Sequence, residues 1–165
     1  MNNLQFLTEN RIDQFNLLLY TIEHNIKKWE NLPESTSNYS TIDINDPSGF
    51  LNISFFKNWF VGFVCAEGSF FALANDEFMF SISQSNNKYL MQAIHLMFKP
   101  SRGIYFNEKT KSSLVRMSSI ADIQKVINFF SFDDNYPLLG YKKEQYLAWL
   151  REMRKSKRYE NLMYP

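Results

Sequence analysis

The stretch that decides the fold runs from residue 59 to residue 70 and reads Trp59-Phe60-Val61-Gly62-Phe63-Val64-Cys65-Ala66-Glu67-Gly68-Ser69-Phe70. Gly62 and Ala66 are four residues apart, so they share one helix face and leave it bare enough for close packing by another helix. Glu67 then falls at the helix end, and Gly68 permits a sharp turn into a strand. The pattern therefore predicts a carboxylate held at the tip of a closely packed helix.

The chain around this motif alternates between helical and strand patterns, which predicts an α+β domain with one antiparallel sheet backed by helices. Short turn segments join the two strands of each predicted hairpin. The predicted elements are a helix over 55–67, a hairpin of 69–74 with 78–84, a helix from about 87 to 98, a hairpin of 104–107 with 113–117, and helices over 120–132 and 141–155.

The N-terminal part of the chain has a different character. Apolar residues recur at helical spacing between residues 11 and 31, which predicts one amphipathic helix ended by Pro33. The polar segment 34–49 has no periodicity and is interpreted as a linker or surface loop. We therefore divide the chain into a helical extension, residues 1–52, and a main domain, residues 53–165, with a basic C-terminal helix.

Composition excludes several classes of protein. The chain has 165 residues, of which 45% are hydrophobic and 17% aromatic, so it can bury a substantial core. A single cysteine, Cys65, cannot form a disulfide framework or a cysteine zinc site within one chain. The apolar runs are too short to span a bilayer and no secretory pattern is present, so neither membrane insertion nor secretion is expected.

The formal net charge is only +1, but the charge is unevenly distributed along the chain. Residues 1–52 contain three basic and seven acidic residues, whereas residues 139–165 contain seven basic and three acidic ones. The C-terminal end is therefore the clearest electrostatic feature for nucleic-acid binding. The abundance of Phe, Tyr, Asn, Ile and Lys is what an AT-rich organellar genome would encode.

The motif resembles the signature helix of the LAGLIDADG homing-endonuclease family, in its single-motif, organellar intron-encoded form. The resemblance extends over about residues 57–158, although Cys65 stands where the family often has an acidic residue. The further segments that carry it are Phe80-Ser81-Ile82-Ser83-Gln84, Phe129-Phe130, Tyr136-Pro137-Leu138-Leu139-Gly140-Tyr141-Lys142-Lys143-Glu144-Gln145-Tyr146, Trp149 and the basic residues after it.

This resemblance implies the αββαββα fold of the family with an N-terminal helical extension, and it implies a catalytic site. Glu67, aided by the Ala66 carbonyl, would bind Mg²⁺, and Gln84 would position water. Lys142 would be catalytic, and Lys88 would also lie near a scissile phosphate. With one motif per chain, Gly62 and Ala66 would pack two helices together, in a homodimer or with another LAGLIDADG half. Without the resemblance, Gln84, Lys88 and Lys142 would be read as ordinary surface polar residues.

Basic residues outside the motif are candidates for nucleic-acid binding. They lie at the start of the helix after the first hairpin, on the second hairpin, or on the final helix and just beyond it. They are Lys88, Lys109, Lys111, Arg116, Lys143, Arg151, Arg154, Lys155, Lys157 and Arg158.

The first three strands depart from the family pattern, because neither of their faces carries the basic and polar side chains that read DNA bases. Ser69 and Phe71 share one face, Phe70 and Ala72 share the other, and Met79 and Ser81 alternate with Phe80 and Ile82. A sheet that is apolar on both faces is usually covered on both. We therefore expect the acidic N-terminal helix or a protein partner to cover this surface.

Three functional hypotheses follow. The first is a dimeric, Mg²⁺-dependent, site-specific DNA endonuclease of mitochondrial or other organellar origin, with a possible additional role as an intron maturase. The second is an inactive LAGLIDADG protein kept as an RNA-binding or structural subunit of a ribonucleoprotein such as a mitochondrial ribosome. The third is a detached C-terminal half of a two-motif enzyme.

Overall fold

The computed structural model describes residues 7–33, 46–133 and 136–165. Within these ranges the chain forms six α-helices, four β-strands and two short 3₁₀ turns. The helices are α1 (Glu9–Glu23), α2 (Pro47–Leu51), α3 (Phe56–Glu67), α4 (Lys88–Phe98), α5 (Ile120–Ser131) and α6 (Gly140–Met153); the strands are β1 (Gly68–Ala72), β2 (Phe78–Ser85), β3 (Tyr105–Asn107) and β4 (Ser112–Met117); the 3₁₀ turns are Trp29–Asn31 and Lys157–Tyr159.

The four strands form one antiparallel sheet in the order β1-β2-β4-β3. From α3 onward the element order is α3-β1-β2-α4-β3-β4-α5-α6, which confirms the predicted α+β architecture with two hairpins. The predicted bounds of these elements agree with the structure to within two residues at most ends. The prediction succeeded because apolar residues recur at helical spacing in the helices and at alternate positions in the strands.

The prediction of one N-terminal helix over residues 11–31 is wrong, because α1 ends at Glu23. Asn25 adopts a left-handed conformation with φ of 50°. The Asn25 and Ile26 N–H groups donate to the Ile22 and Thr21 carbonyls at 3.3 and 3.0 Å, which closes the helix. The apolar residues at 26 and 29 continued the helical spacing by chance, and spacing alone does not detect this kind of stop.

The buried face of α1 also differs from the predicted apolar face. Ile12 and Asn16 are buried, whereas Leu18 is 53% exposed and Ile22 is 69% exposed.

Among the described residues, no helix has both the length and the apolar composition needed to cross a bilayer.

The loop predicted for residues 34–49 is partly helical, because α2 begins at Pro47. The Asp46 carboxylate caps this helix by accepting from the Ser48 N–H at 2.9 Å, and Pro47 fits the first turn. Phe50 is 1% exposed and packs in the main core. Residues 34–45 of the predicted linker lie outside the described residues, and the division of the chain at residues 52 and 53 stays a prediction.

An aromatic cluster holds the helices against the inner face of the sheet. Phe60 of the motif helix stacks or packs edge-on with rings from α4 and α5, and Phe70 of β1 contacts rings from β2, α5 and α6. Burying one such side chain contributes roughly 1.5–3 kcal/mol. The members of the cluster are Phe60, Phe70, Phe80, Phe98, Phe129, Phe130, Tyr146 and Trp149.

The outer face of the sheet is the face turned away from this cluster, and it is not apolar throughout. Phe71 and Met79 pair near the β1–β2 turn, and Met79 is buried there. The rest of the outer face is mainly serine with one arginine, so the prediction of a sheet apolar on both faces is wrong. Its remaining described members are Ser69, Ser81, Ser83, Ser85, Tyr105, Asn107, Ser112, Leu114 and Arg116.

The outer face is partly open. Ser69, Ser83, Ser85 and Tyr105 are exposed, so the described part of the chain does not cover them, and cover by a protein partner stays a prediction. The expectation of an apolar face weighed only the first three strands. The fourth strand, β4, brings Arg116 to the face, and the β2–β4 register places the β2 serines beside it.

A buried carboxylate, Asp122, joins α5 to the segment that follows α4. The Ser101 N–H donates to both Asp122 oxygens at 3.1 and 3.0 Å, the Ser101 hydroxyl also donates to it, and Lys125 Nζ lies 3.2 Å away. The Asp122 N–H in turn donates to the Ser119 hydroxyl at 3.1 Å. Burial opposes the charged form, but the hydrogen bonds outweigh it, and the pKa of Asp122 lies below its usual 3.8.

The junction of α3 and β1 generates the first prediction. A Cβ at Gly68 would lie 2.6 Å from Val64 Cγ1 and 2.8 Å from the Val64 carbonyl oxygen. Because that oxygen is backbone and already accepts from the Gly68 N–H, Gly68→Ala should lower the free energy of unfolding by about 1–3 kcal/mol. Urea unfolding measures this. Gly103→Ala, where a Cβ meets no atom within 4 Å, should change it little, and equal stabilities for the two variants would contradict the prediction.

Asp122 generates a pH-dependent prediction. Asp122→Asn should cost on the order of 1–3 kcal/mol at neutral pH, because buried donors lose their charged acceptor. The folded-state pKa is depressed, so this contribution is present above the ordinary pKa and is lost as pH falls through the folded one. The wild-type advantage in urea unfolding should therefore shrink on acidification. Asp133→Asn, at an exposed carboxylate, serves as the control, and equal stability of wild type and Asp122→Asn at neutral pH would refute the assignment.

Candidate active site

Glu67 is the last residue of α3, and its side chain is exposed where the helix meets β1. The next residue, Gly68, starts β1 with φ of −72°, an ordinary extended conformation. Glycine is therefore required at this junction by the close approach of Val64 and not by backbone twist. The sequence correctly predicted a sharp helix-to-strand turn, but the physical reason for the glycine is steric.

Lys142 stands beside this junction. Its Nζ donates to the Gly68 carbonyl oxygen at 2.7 Å, so the ammonium group is held one residue from Glu67. Two further contacts fix α6 here: the Trp149 indole N–H donates to the Phe71 carbonyl at 3.2 Å, and Cys65 Sγ lies 4.0 Å from the Leu139 carbonyl oxygen. The Lys142–Gly68 hydrogen bond thus joins residues that are 74 positions apart in the sequence.

Gln84 lies near the end of β2, at the end of the sheet where α3 meets β1. Gly68 pairs with Ile82 in the register, so Gln84 lies two residues further along β2, at the end of the sheet where α3 arrives. It shares the inner face with Ile82 and is half-buried. The register therefore places Glu67 and Gln84 at the same end of the sheet.

Lys88 is exposed at the first position of α4 and faces a different group of residues. It lines a recess of about 410 Å³ with Asn86, Phe106, Glu108 and Lys111. The structure therefore brings Lys88 next to the second hairpin, and its predicted place near the scissile phosphate stays a prediction.

One face of α3 is open to solvent. Gly62 and Ala66 are exposed on it, and a Cβ built at Gly62 meets no atom within 4 Å. Phe60 and Val64, on the opposite face, are fully buried. A helix this apolar with one bare face has room there for the close approach of a second helix.

Apart from Lys88 on α4, the basic residues predicted to bind nucleic acid fall into two groups. Arg116 lies on the outer face of the sheet, and Lys109 and Lys111 lie in the exposed β3–β4 turn. The others lie along α6 and the segment after it, and α6 packs on the inner face of the sheet through Trp149. These others are Lys143, Arg151, Arg154, Lys155, Lys157 and Arg158.

Three members of the C-terminal group are engaged in contacts within the chain. Arg154 lies over the Tyr164 ring at 4.9 Å, Lys155 pairs with Glu152 at 2.8 Å, and Arg158 pairs with Glu77 at 3.3 Å. Each of these three cations therefore has a partner within the chain. Lys143, Arg151 and Lys157 are exposed.

Two residues of the outer surface were missed from the sequence. Arg102 and Tyr105 line a recess of about 380 Å³ together with Gly103, Leu114 and Arg116. Arg102 belongs to the break between α4 and β3, where no period marks it. Its place beside Arg116 follows only from the pairing of β3 with β4.

No group of three or more His, Cys, Asp and Glu side chains able to hold a metal ion occurs within residues 7–33, 46–133 and 136–165.

Comparison with known proteins identifies the family of this chain. The family model described as LAGLIDADG endonuclease matches residues 60–153, which is more than half of the chain. The chain belongs to this family. The match begins within the LAGLIDADG helix α3 and ends with α6.

Curated relatives are described as intron-encoded endonucleases. The chain is 30% identical over 140 residues to the probable intron-encoded endonuclease aI3 of Dictyostelium citrinum, covering 85% of this chain and 56% of the relative. It is 34% identical over 100 residues to the probable intron-encoded endonuclease aI3 of Debaryomyces hansenii, covering 59% of this chain and 14% of that protein. The chain thus spans about half of the first relative and a small part of the second.

Solved structures share the fold. The I-SmaMI LAGLIDADG homing endonuclease bound to cleaved DNA aligns with a TM-score of 0.55 at 20% identity, over 80% of this chain and 46% of that one. The meganuclease I-CpaMI bound to uncleaved DNA aligns with a TM-score of 0.53 at 24% identity, over 65% and 40%. At these identities the likeness shows the LAGLIDADG fold alone.

Proposed function

We propose that this chain is a site-specific DNA endonuclease that acts as a pair of LAGLIDADG units, with Glu67 as the catalytic carboxylate. The observation that carries this proposal is the α3–β1 junction: an exposed carboxylate ends a bare-faced helix, and the Lys142 ammonium group is fixed beside it at 2.7 Å from the Gly68 carbonyl. Family membership and the names of the curated relatives support the same activity.

A divalent metal ion, Mg²⁺ in our proposal, fits the donors available here. Glu67 offers an exposed carboxylate, and Ala66 belongs to the last helical turn, whose carbonyls have no partner further along the helix. Oxygen donors of this kind suit a hard cation that keeps several waters. When bound, such an ion stabilises negative charge on the attacking and leaving oxygens of a phosphodiester.

The chain's own residues then have distinct tasks. The Lys142 ammonium group is held rigidly by the Gly68 carbonyl, so it can face a phosphate without first paying the entropy of ordering a lysine. Gln84, at the same end of the sheet, can orient a water molecule through its amide group. Lys88 would supply further positive charge to the nucleic-acid backbone.

Pairing through α3 completes the site, because one chain offers a single carboxylate. A two-fold axis along the bare faces at Gly62 and Ala66 would place two Glu67 side chains together. The partner is a second copy of this chain or another LAGLIDADG half. We further propose an organellar, intron-borne gene, mitochondrial in origin, on the basis of the intron-encoded relatives and the AT-rich amino-acid usage.

The outer face of the sheet is the proposed DNA surface. Its serines and Arg116 are polar, and Ser69, Ser83, Ser85 and Tyr105 are exposed on it. The alternative role as an inactive RNA-binding or structural subunit rested on an apolar sheet, a weak net charge and the basic C-terminal helix. It is not favoured, because the curated relatives are described as endonucleases and the outer face of the sheet is largely polar.

Glu67→Gln tests the catalytic assignment. The protein should still bind DNA but lose cleavage by roughly 100-fold or more, because the metal-binding carboxylate is gone while the side-chain volume is kept. Incubation with a pool of randomised duplex DNA and Mg²⁺, followed by sequencing of the cut ends, measures this. Glu160→Gln, at an exposed carboxylate near the C-terminus, should cut like wild type. Full cleavage by Glu67→Gln would eliminate the mechanism.

Gly62→Leu tests pairing through α3. The space at Gly62 is open in the single chain, and leucine has a better helix propensity, so stability of the monomer should be kept or improved by up to about 1 kcal/mol. Self-association, measured by sedimentation, should fall sharply, because the added side chain blocks close helix packing. Ala121→Leu on the exposed face of α5 is the matched control and should associate like wild type. A wild-type chain that stays monomeric on DNA would instead point to a different LAGLIDADG half as partner.

A further inference from the structure

Arg116 occupies the middle of the outer face of the sheet. Its neighbours Val115 and Met117 are buried in the core, so the Arg116 side chain leaves the opposite side of β4. The register pairs Arg116 with Ser81 on β2, and β2 and β4 are the two inner strands of the sheet. Short serine side chains beside it leave the guanidinium group free to approach a ligand that lies across the sheet.

One donor of the Arg116 guanidinium group has no acceptor in the protein. Arg116 Nε is buried and has no hydrogen-bond partner in the described part of the chain. Among the described residues, the recess around it is lined by Arg102, Gly103, Tyr105 and Leu114 and by no carboxylate. Arg116 is nevertheless half-exposed and lines the open recess, so the accessible part of its guanidinium group can pair with the acceptors of a ligand that enters there.

We infer that Arg116 is a base-reading residue, and that it selects a guanine in the DNA target of the proposed endonuclease. This inference rests on the proposed function. The guanidinium fork matches the O6 and N7 acceptors of guanine in the major groove, which is wide enough for a β-ribbon. A residue on the inner strands of a sheet laid in that groove faces base edges, whereas phosphates face its margins.

Other residues of the outer face are poorer base readers. The serines can contact any base and therefore discriminate weakly. Asn107 could read adenine, but its side-chain oxygen already accepts from the Lys109 and Thr110 N–H groups at 3.0 and 3.3 Å. Arg102 precedes the edge strand β3, so it lies at the margin where the phosphate backbone passes. Arg116 is thus the strongest candidate for specificity among the described residues.

Selection of bound duplexes from a randomised DNA pool, followed by sequencing, tests the inference on the full chain. Wild type should enrich a guanine at a defined position, once in each half-site for a homodimer. Arg116→Gln should reduce the preference for that guanine by roughly tenfold or more and leave the other positions unchanged. Arg116→Lys keeps the charge but loses the planar fork, so it should lose most of the same preference.

Arg102→Gln is the matched control, because Arg102 lines the same recess. It should weaken binding to all sequences alike and lower the slope of the salt dependence by about 1, with the guanine preference intact. Thermal unfolding separates readout from structure: Arg116→Gln should melt at or above the wild-type temperature, because it removes an unsatisfied donor.

The outcomes distinguish the inference from the function on which it rests. A wild-type chain that selects no sequence at all overturns both. A wild-type profile that stays the same in Arg116→Gln, or that changes equally in Arg102→Gln, overturns the role of Arg116 while the proposed endonuclease stands. A Arg116→Gln protein that melts well below wild type and loses all binding would make Arg116 a structural residue, which also overturns the inference.

Discussion

The close approach of Gly68 to Val64 sets the geometry on which the rest of the molecule depends. The Gly68 N–H donates to the Val64 carbonyl, and a Cβ at Gly68 would lie 2.8 Å from that carbonyl oxygen, so α3 passes into β1 with no intervening loop. Glu67 is therefore exposed at a rigid corner between a helix and a sheet. A loop at this point would let the carboxylate move, which would weaken the catalytic role proposed for it.

The remaining elements brace this corner from behind. Rings of Phe60, Phe70 and Tyr146 join α3, β1 and α6 into one cluster, so the strand that follows Glu67 is packed on the same core as the helix that carries it. The Trp149 and Lys142 hydrogen bonds to β1 then align α6 along the strand. The position of Lys142 therefore depends on the aromatic core and on Trp149 as well as on its own hydrogen bond. The same core leaves the α3 face at Gly62 bare, so the face proposed for pairing is separate from the face that stabilises the fold.

The basic C-terminus overstates how much positive charge is available on the surface of this chain, whose net charge is +1. Several C-terminal cations pair within the chain, and the end of the chain is tied to the sheet by the Tyr159 hydroxyl, which accepts from the Phe78 N–H at 3.1 Å. The outer face carries few charges, and its centre is Arg116 with serine neighbours. The DNA binding proposed for this face would depend on shape and a few directional contacts more than on a strong electrostatic field.

Much of this could be predicted from the sequence, because it depends on local period and on short spacing. The alternation of Phe80, Ile82 and Gln84, the four-residue step from Gly62 to Ala66 and the Glu67-Gly68 pair specify helix, hairpin and corner without reference to distant residues. The end of α1 at Glu23 was not predicted, since it depends on Asn25 adopting a left-handed conformation that spacing does not reveal. Only the tertiary structure decided that Lys142 lies at Gly68, that Arg102 lies beside Arg116, and that the outer face is mainly polar. Those facts follow from strand order and register, which join residues far apart in the chain and are fixed by packing of the whole core.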